Sequence, residues 1–331
     1  MKLCLNMCVA RMIFFVLAVM MISGSVRAED ALSAKYQAWQ AELRTEALSS
    51  GISAEIFDAA FSRVSLIERV IELDRKQPEF TLTLDEYITR VISDTRIKNA
   101  KLKIVEHADI LDEVSAKYGV QKRFIVALWG IETNFGSHTG GFEVISALVT
   151  LAYDGRRSAY FRKELLKALQ ILEEGHVSVE NMKGSWAGAM GQSQFMPSSF
   201  ISYAEDYNQD GRRDIWTTKE DVFASIANYL SSVGWRDDTT WGREVIVPDN
   251  VDGSKLSESK TKKSMAEWKA LGITSLGGEP LPERNLSSRL VVPSDSGGRA
   301  FLAYDNYDNI LKWNRSNYFA IAVGTLSDAL R

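Results

Sequence analysis

Arg123-Phe-Ile-Val-Ala-Leu-Trp-Gly-Ile-Glu132-Thr-Asn-Phe-Gly136 is a long apolar run that contains a single carboxylate. An apolar run of helical length with no polar face is a helix meant for a core. Glu132 sits in its last turn, just before Asn134-Phe-Gly136 and Gly140-Gly141. A glycine-rich exit leaves open space beside that turn. A carboxylate that loses water keeps its proton more easily, because desolvation penalises the charged form. A protonated carboxylic acid near neutral pH is the group that cleavage of a glycosidic bond needs. Glu132 is therefore the candidate general acid. The plainer alternative is a helix carboxylate paired with an arginine or turned to solvent.

Working outward, helical spacing dominates. Leu32, Tyr36, Trp39 and Leu43 mark a helix over 31–49, and Gly51-Ile-Ser53 reads as a stop followed by an N-cap for the helix of Ile56, Phe57 and Phe61. Pro78 interrupts the pattern, and Thr83-Leu-Asp-Glu86 is a capping box that opens a long helix through Tyr87, Ile88, Val91 and Ile92. Another helix is expected over 104–118, closed by Gly119. Beyond the apolar run, helices are expected over 144–152, 159–173, 198–207 and 221–233. The texture then changes. Residues 241–248, 288–293 and 300–304 read as short strands around a polar, partly helical stretch at 255–269. Helix resumes at 305–311 and 318–330.

The first 28 residues read as a secretory signal. Lys2 and Arg11 precede the apolar stretch Met12–Ile22, and small residues lead to a cut after Ala28. The stretch is shorter than the roughly 20 apolar residues that span a bilayer. Both cysteines, Cys4 and Cys8, precede it, whereas a lipid-modified cysteine would follow it, so no lipobox is expected. The mature chain would then have no cysteine, hence no disulfide and no thiolate metal site. Loss of Lys2, Arg11 and Arg27 takes the formal charge from −4 to −7. An acidic chain with no basic run is a poor partner for nucleic acid.

Three segments look built for a groove: Trp129–Gly136, Gly184–Ser198 and Trp313–Phe319. In the second, Gly184, Gly188 and Gly191 allow close backbone approach, Ser185, Gln192 and Gln194 offer neutral hydrogen bonds, and Trp186, Phe195 and Met196 offer apolar faces. Neutral donors beside aromatic planes suit a sugar. None of the three carries a second acid. The nearest in sequence, Glu143 and Asp154, are expected to cap helices or to pair with Arg156 or Arg157. His107, His138 and His176 have no metal-ligand spacing.

The strings WGIETNFG, GGFEVISALVTLAYDGRRSAYFRKELLKAL, GSWAGAMGQSQFMPSSF and LKWNRSNYFAIAVG resemble the lytic murein transglycosylase B family, in order, across essentially the whole mature chain. The resemblance implies a mainly α (α+β) fold. A lysozyme-like core at 104–235 would be flanked by a helical domain at 29–103, joined by helices of 305–331, and by a small β-containing lobe at 236–304. It implies cleavage of the β-1,4 bond between N-acetylmuramic acid and N-acetylglucosamine, with the muramic C6 hydroxyl attacking C1 to leave a 1,6-anhydro end. The family's catalytic glutamate falls on Glu132. Its active-site serine and glutamine fall on Ser185 and Gln194, its core-helix tyrosine on Tyr229, and its C-terminal asparagine on Asn314. Phe319 would line the groove, and a groove tyrosine falls on Tyr87. A hydrolytic muramidase and a non-catalytic peptidoglycan-binding scaffold are the alternatives. The resemblance further implies a periplasmic monomer that acts on peptidoglycan glycan strands and needs no cofactor for its chemistry. Proteins of cell-wall synthesis or division are candidate partners.

Asp206-Tyr-Asn-Gln-Asp-Gly-Arg-Arg-Asp214 matches the opening of an EF-hand loop, but its twelfth position is Thr217 instead of the bidentate glutamate. Some members of the resembled family bind calcium with a longer loop and a later acid, here Glu220 or Asp221. Asp206, Asn208, Asp210, the Arg212 carbonyl and Asp221 would form a structural calcium site within 206–221. The alternative is a metal-free turn stapled by Arg212 and Arg213.

Overall fold

The computed structural model describes residues 34–76, 82–154 and 156–331. The signal segment, its cut site, both cysteines, Leu32 and Pro78 lie outside the described residues.

Helices make up most of the chain: residues 34–49 (α1), Ala54–Phe61 (α2), Glu68–Arg75 (α3), Leu84–Val91 (α4), Asp94–Glu106 (α5), Ala108–Tyr118 (α6) and Lys122–Thr133 (α7). A short strand Phe142–Glu143 (β1) leads into Val144–Asp154 (α8) and Ser158–Glu173 (α9), and its partner Lys183–Gly184 (β2) precedes Pro197–Tyr203 (α10) and Lys219–Ser232 (α11). The remainder runs Gly242–Ile246 (β3), Gly253–Ser259 (α12), Lys262–Ser264 (β4), Met265–Ala270 (α13), Thr274–Ser275 (β5), Ser287–Val291 (β6), Ala300–Ala303 (β7), Asp305–Trp313 (α14) and Asn317–Asp328 (α15). Among the described residues no helix is long and apolar enough to cross a membrane.

The core forms around α7. Every residue from Phe124 to Gly130 is buried, so this helix has no solvent face and needs no polar one. α15 packs along it and is nearly as enclosed, with Tyr318–Gly324, Leu326 and Ser327 all buried. α5, α6 and α11 cover further sides of α7.

The second structural layer is the antiparallel sheet β4-β6-β7-β3-β5. Its central strand β7 is buried on both faces, because alternate residues of a strand point to opposite sides. Ala300 and Leu302 join Val245, Met265, Trp268, Ile273 and Leu290 in a small apolar cluster, while Phe301 and Ala303 belong to the main helical core. The lobe is fastened to the helices as well. Arg299 forms a bidentate pair with Glu244 of β3, at 2.7 Å for each bond, and a third bond of 2.6 Å to Asp85 of α4. The Leu84 amide donates to the Asp295 carbonyl at 3.2 Å.

Mainly helical architecture with a small sheet is what the sequence pattern implies, and the three expected strands are present. Two expectations fail, and some short strands went unread. The helix opened by the capping box at Thr83 is short, because Ile92 leaves helical geometry and Ser93 caps a new helix by accepting from the Arg96 amide. The helix expected at 104–118 is split at His107. β4 and β5 were not visible in the pattern, since strands of two or three residues in polar stretches carry no readable alternation.

Candidate active site

α7 ends abruptly, and the manner of its ending places Glu132. Asn134 and Phe135 both adopt left-handed backbone (φ +49° and +60°), followed by Gly136 at φ +83°. Two successive non-glycine residues in this region are strained, by roughly 1–3 kcal/mol each. Packing holds them there. The Phe135 ring sits edge-on to Trp129, with centroids 5.4 Å apart, and lies so close to Gly130 that a Cβ added at that glycine would come within 2.7 Å of it. The Phe135 amide donates to the Trp129 carbonyl at 3.3 Å.

The glycine-rich segment closes over this turn. β1 and β2 pair Phe142 with Gly184 and Glu143 with Lys183, which lays Gly184-Ser185 against the exit loop of α7. At Gly140 (φ +91°) a Cβ would stand 2.1 Å from the Gly184 carbonyl oxygen, so only glycine fits. Thr133 Oγ1 donates to the Gln192 carbonyl at 2.9 Å, and Gln194 Nε2 donates to the Thr139 carbonyl at 3.1 Å. Gln194 is itself in left-handed backbone (φ +50°) and also donates to the Gly191 carbonyl at 2.9 Å. Ser185 Oγ accepts from the amides of Ala187 and Ala189 at 3.3 and 3.1 Å, so its own hydroxyl proton is free to point elsewhere.

The third segment supplies the contact that defines the site. Trp313 Nε1–H donates to Glu132 Oε1 at 2.7 Å. The indole packs against both Phe195 and Tyr229, with centroids at 5.1 and 4.7 Å, and the Tyr229 hydroxyl donates to the Lys312 carbonyl at 2.6 Å. Tyr229 thus braces the indole from behind. Its buried phenol is pushed up to about 12 by desolvation. Tyr87 of α4 is half-buried, 5.7 Å from the Tyr318 ring. Burial raises its pKa, and the charge of Glu132 adds to the effect.

Glu132 as a residue is only part-buried, yet its carboxyl group is densely enclosed. Desolvation raises its pKa to about 7, and the single opposing influence is the Trp313 hydrogen bond. Among the described residues no ion pair holds it. The acids that follow most closely in sequence are engaged elsewhere: Glu143 pairs with Arg63 at 3.2 Å and Asp154 with Arg75 at 2.9 Å. Arg156 and Arg157, expected as their partners, clamp the buried Asp74 instead, at 2.9 and 2.6 Å.

The structure lays Ser185 and Gln194 against the exit loop of α7 and Tyr229 against Trp313, while Tyr87 packs on Tyr318. Phe319 is 5% exposed and packs into the core, and Asn314 is exposed at the end of α14, its Oδ1 accepting from the Ser316 amide. Phe319, expected to line the groove, is thus a core residue, and two further residues differ from the sequence reading. Gln192, grouped there with the groove donors, is buried; it accepts from Trp129 Nε1 (2.9 Å) and Lys219 Nζ (3.1 Å) and donates to the Trp216 carbonyl (2.7 Å). It is a pin under the turn. Trp313 was passed over for its neighbour Asn314, although a tryptophan in a sugar groove carries a neutral N–H donor as well as a flat face.

In the loop at 206–221, side-chain oxygens gather around backbone amides. Asp206 accepts from Asp210 and Gly211 (3.1 and 2.9 Å), and Asp210 accepts from Arg212 (2.9 Å). Asp221 is fully buried and accepts from the amides of Tyr207 (2.8 Å) and Asp214 (2.7 Å). Burial raises its pKa to about 6, with the charge of Asp206 adding to the effect. Arg212 and Arg213 do not staple the loop; the Arg213 amide donates to His176 Nδ1 at 3.2 Å.

Residues 35–328 match the family model described as "Transglycosylase SLT domain". The chain belongs to this transglycosylase family. It is similar to the membrane-bound lytic murein transglycosylase B of Escherichia coli, with 32% identity over 246 residues, 74% of this chain and 66% of that protein. Its structure resembles SltB3 from Pseudomonas aeruginosa in complex with NAG-NAM-pentapeptide (TM-score 0.86, 42% identity, 89% of this chain and 79% of that one). SltB3 has also been solved with NAG-anhNAM-pentapeptide. The lytic transglycosylase Slt35 of E. coli, solved in complex with calcium, is similar at 28% identity over 88% of this chain and 92% of that one, with a TM-score of 0.74.

For this transglycosylase, the Trp313 donor favours the ionised form of Glu132, so its removal must raise the acid's pKa. Trp313→Phe keeps the packing against Phe195 and Tyr229. A hydrogen bond to a charged group is worth about 1.5–3 kcal/mol, so the alkaline limb of kcat/KM should move to higher pH by roughly one pH unit or more. A pH profile with an unmoved or acid-shifted limb would remove Trp313 from this role.

Proposed function

We propose that this protein cleaves peptidoglycan glycan strands as a lytic transglycosylase, with Glu132 as its one acid and base. The observation that carries this reading is an enclosed carboxyl whose one hydrogen-bond donor among the described residues is a neutral indole, with the acids that follow it in sequence engaged in ion pairs of their own. A glycosidase of the ordinary kind uses two carboxylates, one of them a base or nucleophile. With one, the second role falls to the substrate.

Glu132, protonated at neutral pH, gives its proton to the leaving glycosidic oxygen. The N-acetyl group of the muramic sugar supports C1 from the other side, as in substrate-assisted glycosidases. Glu132, now charged and steadied by Trp313, takes the proton from the C6 hydroxyl as that oxygen closes on C1. Ser185 and Asn314 have hydrogen-bonding capacity left over to orient the N-acetyl group, and Gln194, tied to the turn after α7, steadies the sugar. Tyr87 contributes to the aromatic surroundings. The complex of SltB3 with NAG-anhNAM-pentapeptide supports an anhydro product by analogy.

The residue sets 29–103 with 305–331, 104–235 and 236–304 act in this reading as flanking helices, catalytic core and lobe. The separate apolar cluster of the lobe supports that division. The protein works as a periplasmic monomer after loss of its signal.

Asp206, Asn208, Asp210, the Arg212 carbonyl and Asp221 form a hard-oxygen donor set suited to calcium. The fit rests on Asp221, a buried acid beside Asp206 with no cation among the described residues to neutralise it. Calcium there supplies charge compensation to the loop and takes no part in the bond cleavage.

Glu132→Gln preserves shape but has no proton to give. Its turnover on sacculi should fall by at least about 10²–10⁴-fold, and mass spectrometry of the wild-type digest should show products one water lighter than hydrolysed ends. Near-normal turnover by the variant, or hydrolysed ends from the wild type, would refute the assignment. Calcium at about a hundredfold over its Kd should stabilise the folded state by about 2.7 kcal/mol. That appears as a higher melting temperature, abolished by chelator and absent in Asp210→Ala. A melt indifferent to calcium and chelator would leave the loop a metal-free turn.

A further inference from the structure

At the opposite end of α7 from Glu132, about 13 Å along the helix by its rise per residue, a cavity of about 710 Å³ opens between the helical core and the sheet lobe. Five arginines and two aspartates line it, in a chain whose overall charge is negative. The guanidinium groups outnumber their counter-charges. Arg123 and Arg331 share one carboxylate, Asp328, at 3.0 and 2.7 Å, and that carboxylate also accepts from Trp241 Nε1 at 2.9 Å. Among the described residues Arg243 has a single partner, the Tyr304 hydroxyl, at 2.8 Å, which leaves its terminal nitrogens unused there. Arg284 is exposed, and its guanidinium has no partner among the described residues. Asp237, in the same lining, is exposed, and among the described residues its carboxylate forms no ion pair.

The rim is rigid. Gln121 donates to the Thr239 carbonyl at 3.1 Å and accepts from Trp235 Nε1 at 2.9 Å, and Asn306 donates to the carbonyls of Arg236 and Thr239 at 2.7 and 3.1 Å. Such bracing fixes the backbone of the rim at Arg236 and Thr239 before a ligand arrives, which reduces the ordering needed on binding. The volume lies in the range of small-ligand sites.

We propose that this cavity binds an acidic peptide bearing both carboxylates and an ammonium group, of the kind that peptide stems of peptidoglycan present. Arginine forks match carboxylates in a bidentate manner, and Arg243 and Arg284 have such forks unspent. Asp237 gives the site an acceptor for an ammonium group and disfavours a dense phosphate. The identity of the peptide as a stem rests on the glycan-strand reading above. The site lies at the far end of α7 from Glu132, so a stem held there anchors the enzyme on the polymer away from the bond that is cut.

The test is calorimetric titration of the full-length protein with N-acetyl-L-Ala-γ-D-Glu-L-Lys, which carries two carboxylates and one ammonium. No turnover is involved, so the outcome is independent of the Glu132 chemistry. Saturable binding is expected, weakened roughly tenfold or more by Arg284→Glu, by Arg243→Gln and by amidation of both carboxylates. Arg284→Glu alters an exposed side chain and should leave cleavage of short unbranched glycans unchanged. Absence of saturable binding, an affinity indifferent to Arg284→Glu, or inorganic phosphate binding as tightly as the peptide would overturn the proposal.

Discussion

One hydrogen bond, from the Trp313 indole to an otherwise enclosed carboxyl, sets the chemistry available to this protein. Burial alone would hold Glu132 neutral and make it a reluctant base. A charged donor such as arginine would hold it ionised and make it useless as an acid. A neutral N–H lies between these limits. It leaves the acid poised at about 7, where it can give a proton and then take one back.

Much of the surrounding architecture serves that balance. α7 is buried along its length, so its last turn carries Glu132 out of a region without water. The left-handed residues Asn134 and Phe135 then turn the chain away sharply, and Gly136 and Gly140 let the second glycine-rich segment press against the turn. α14 delivers Trp313 from nearly two hundred residues further along the sequence, and Tyr229 and Phe195 fix its plane. The elements that meet here are held by α15 and by the Arg299 link from the sheet to α4, so the site depends on contacts far outside it.

The apolar run, the capping box at Thr83 and the alternating residues of β7 were legible because each is a local pattern with a direct physical meaning. The same holds for the solitary glutamate, since an acid without polar neighbours in its own segment is conspicuous. What the sequence did not show depends on contacts between distant segments. Gln192 and Gln194 are indistinguishable as letters, yet one is a buried pin and the other lies at the exit of α7. Trp313 and Asn314 stand side by side, and only the packing against Tyr229 selects the tryptophan as the partner of Glu132. Asp74, which takes the arginines expected at Glu143 and Asp154, gave no signal, because ion pairing between separate helices leaves no spacing to read.

The central claim concerns the protonation of one side chain, and it is open to direct observation. Carbon-13 NMR of the protein labelled at glutamate carboxyl carbons, with Glu132→Gln to assign the resonance, follows the titration of this group alone. The account expects a carboxyl that remains protonated at pH 6 and titrates near pH 7. A resonance already fully shifted to the carboxylate position at pH 6, with a midpoint near the ordinary value for glutamate, would contradict it.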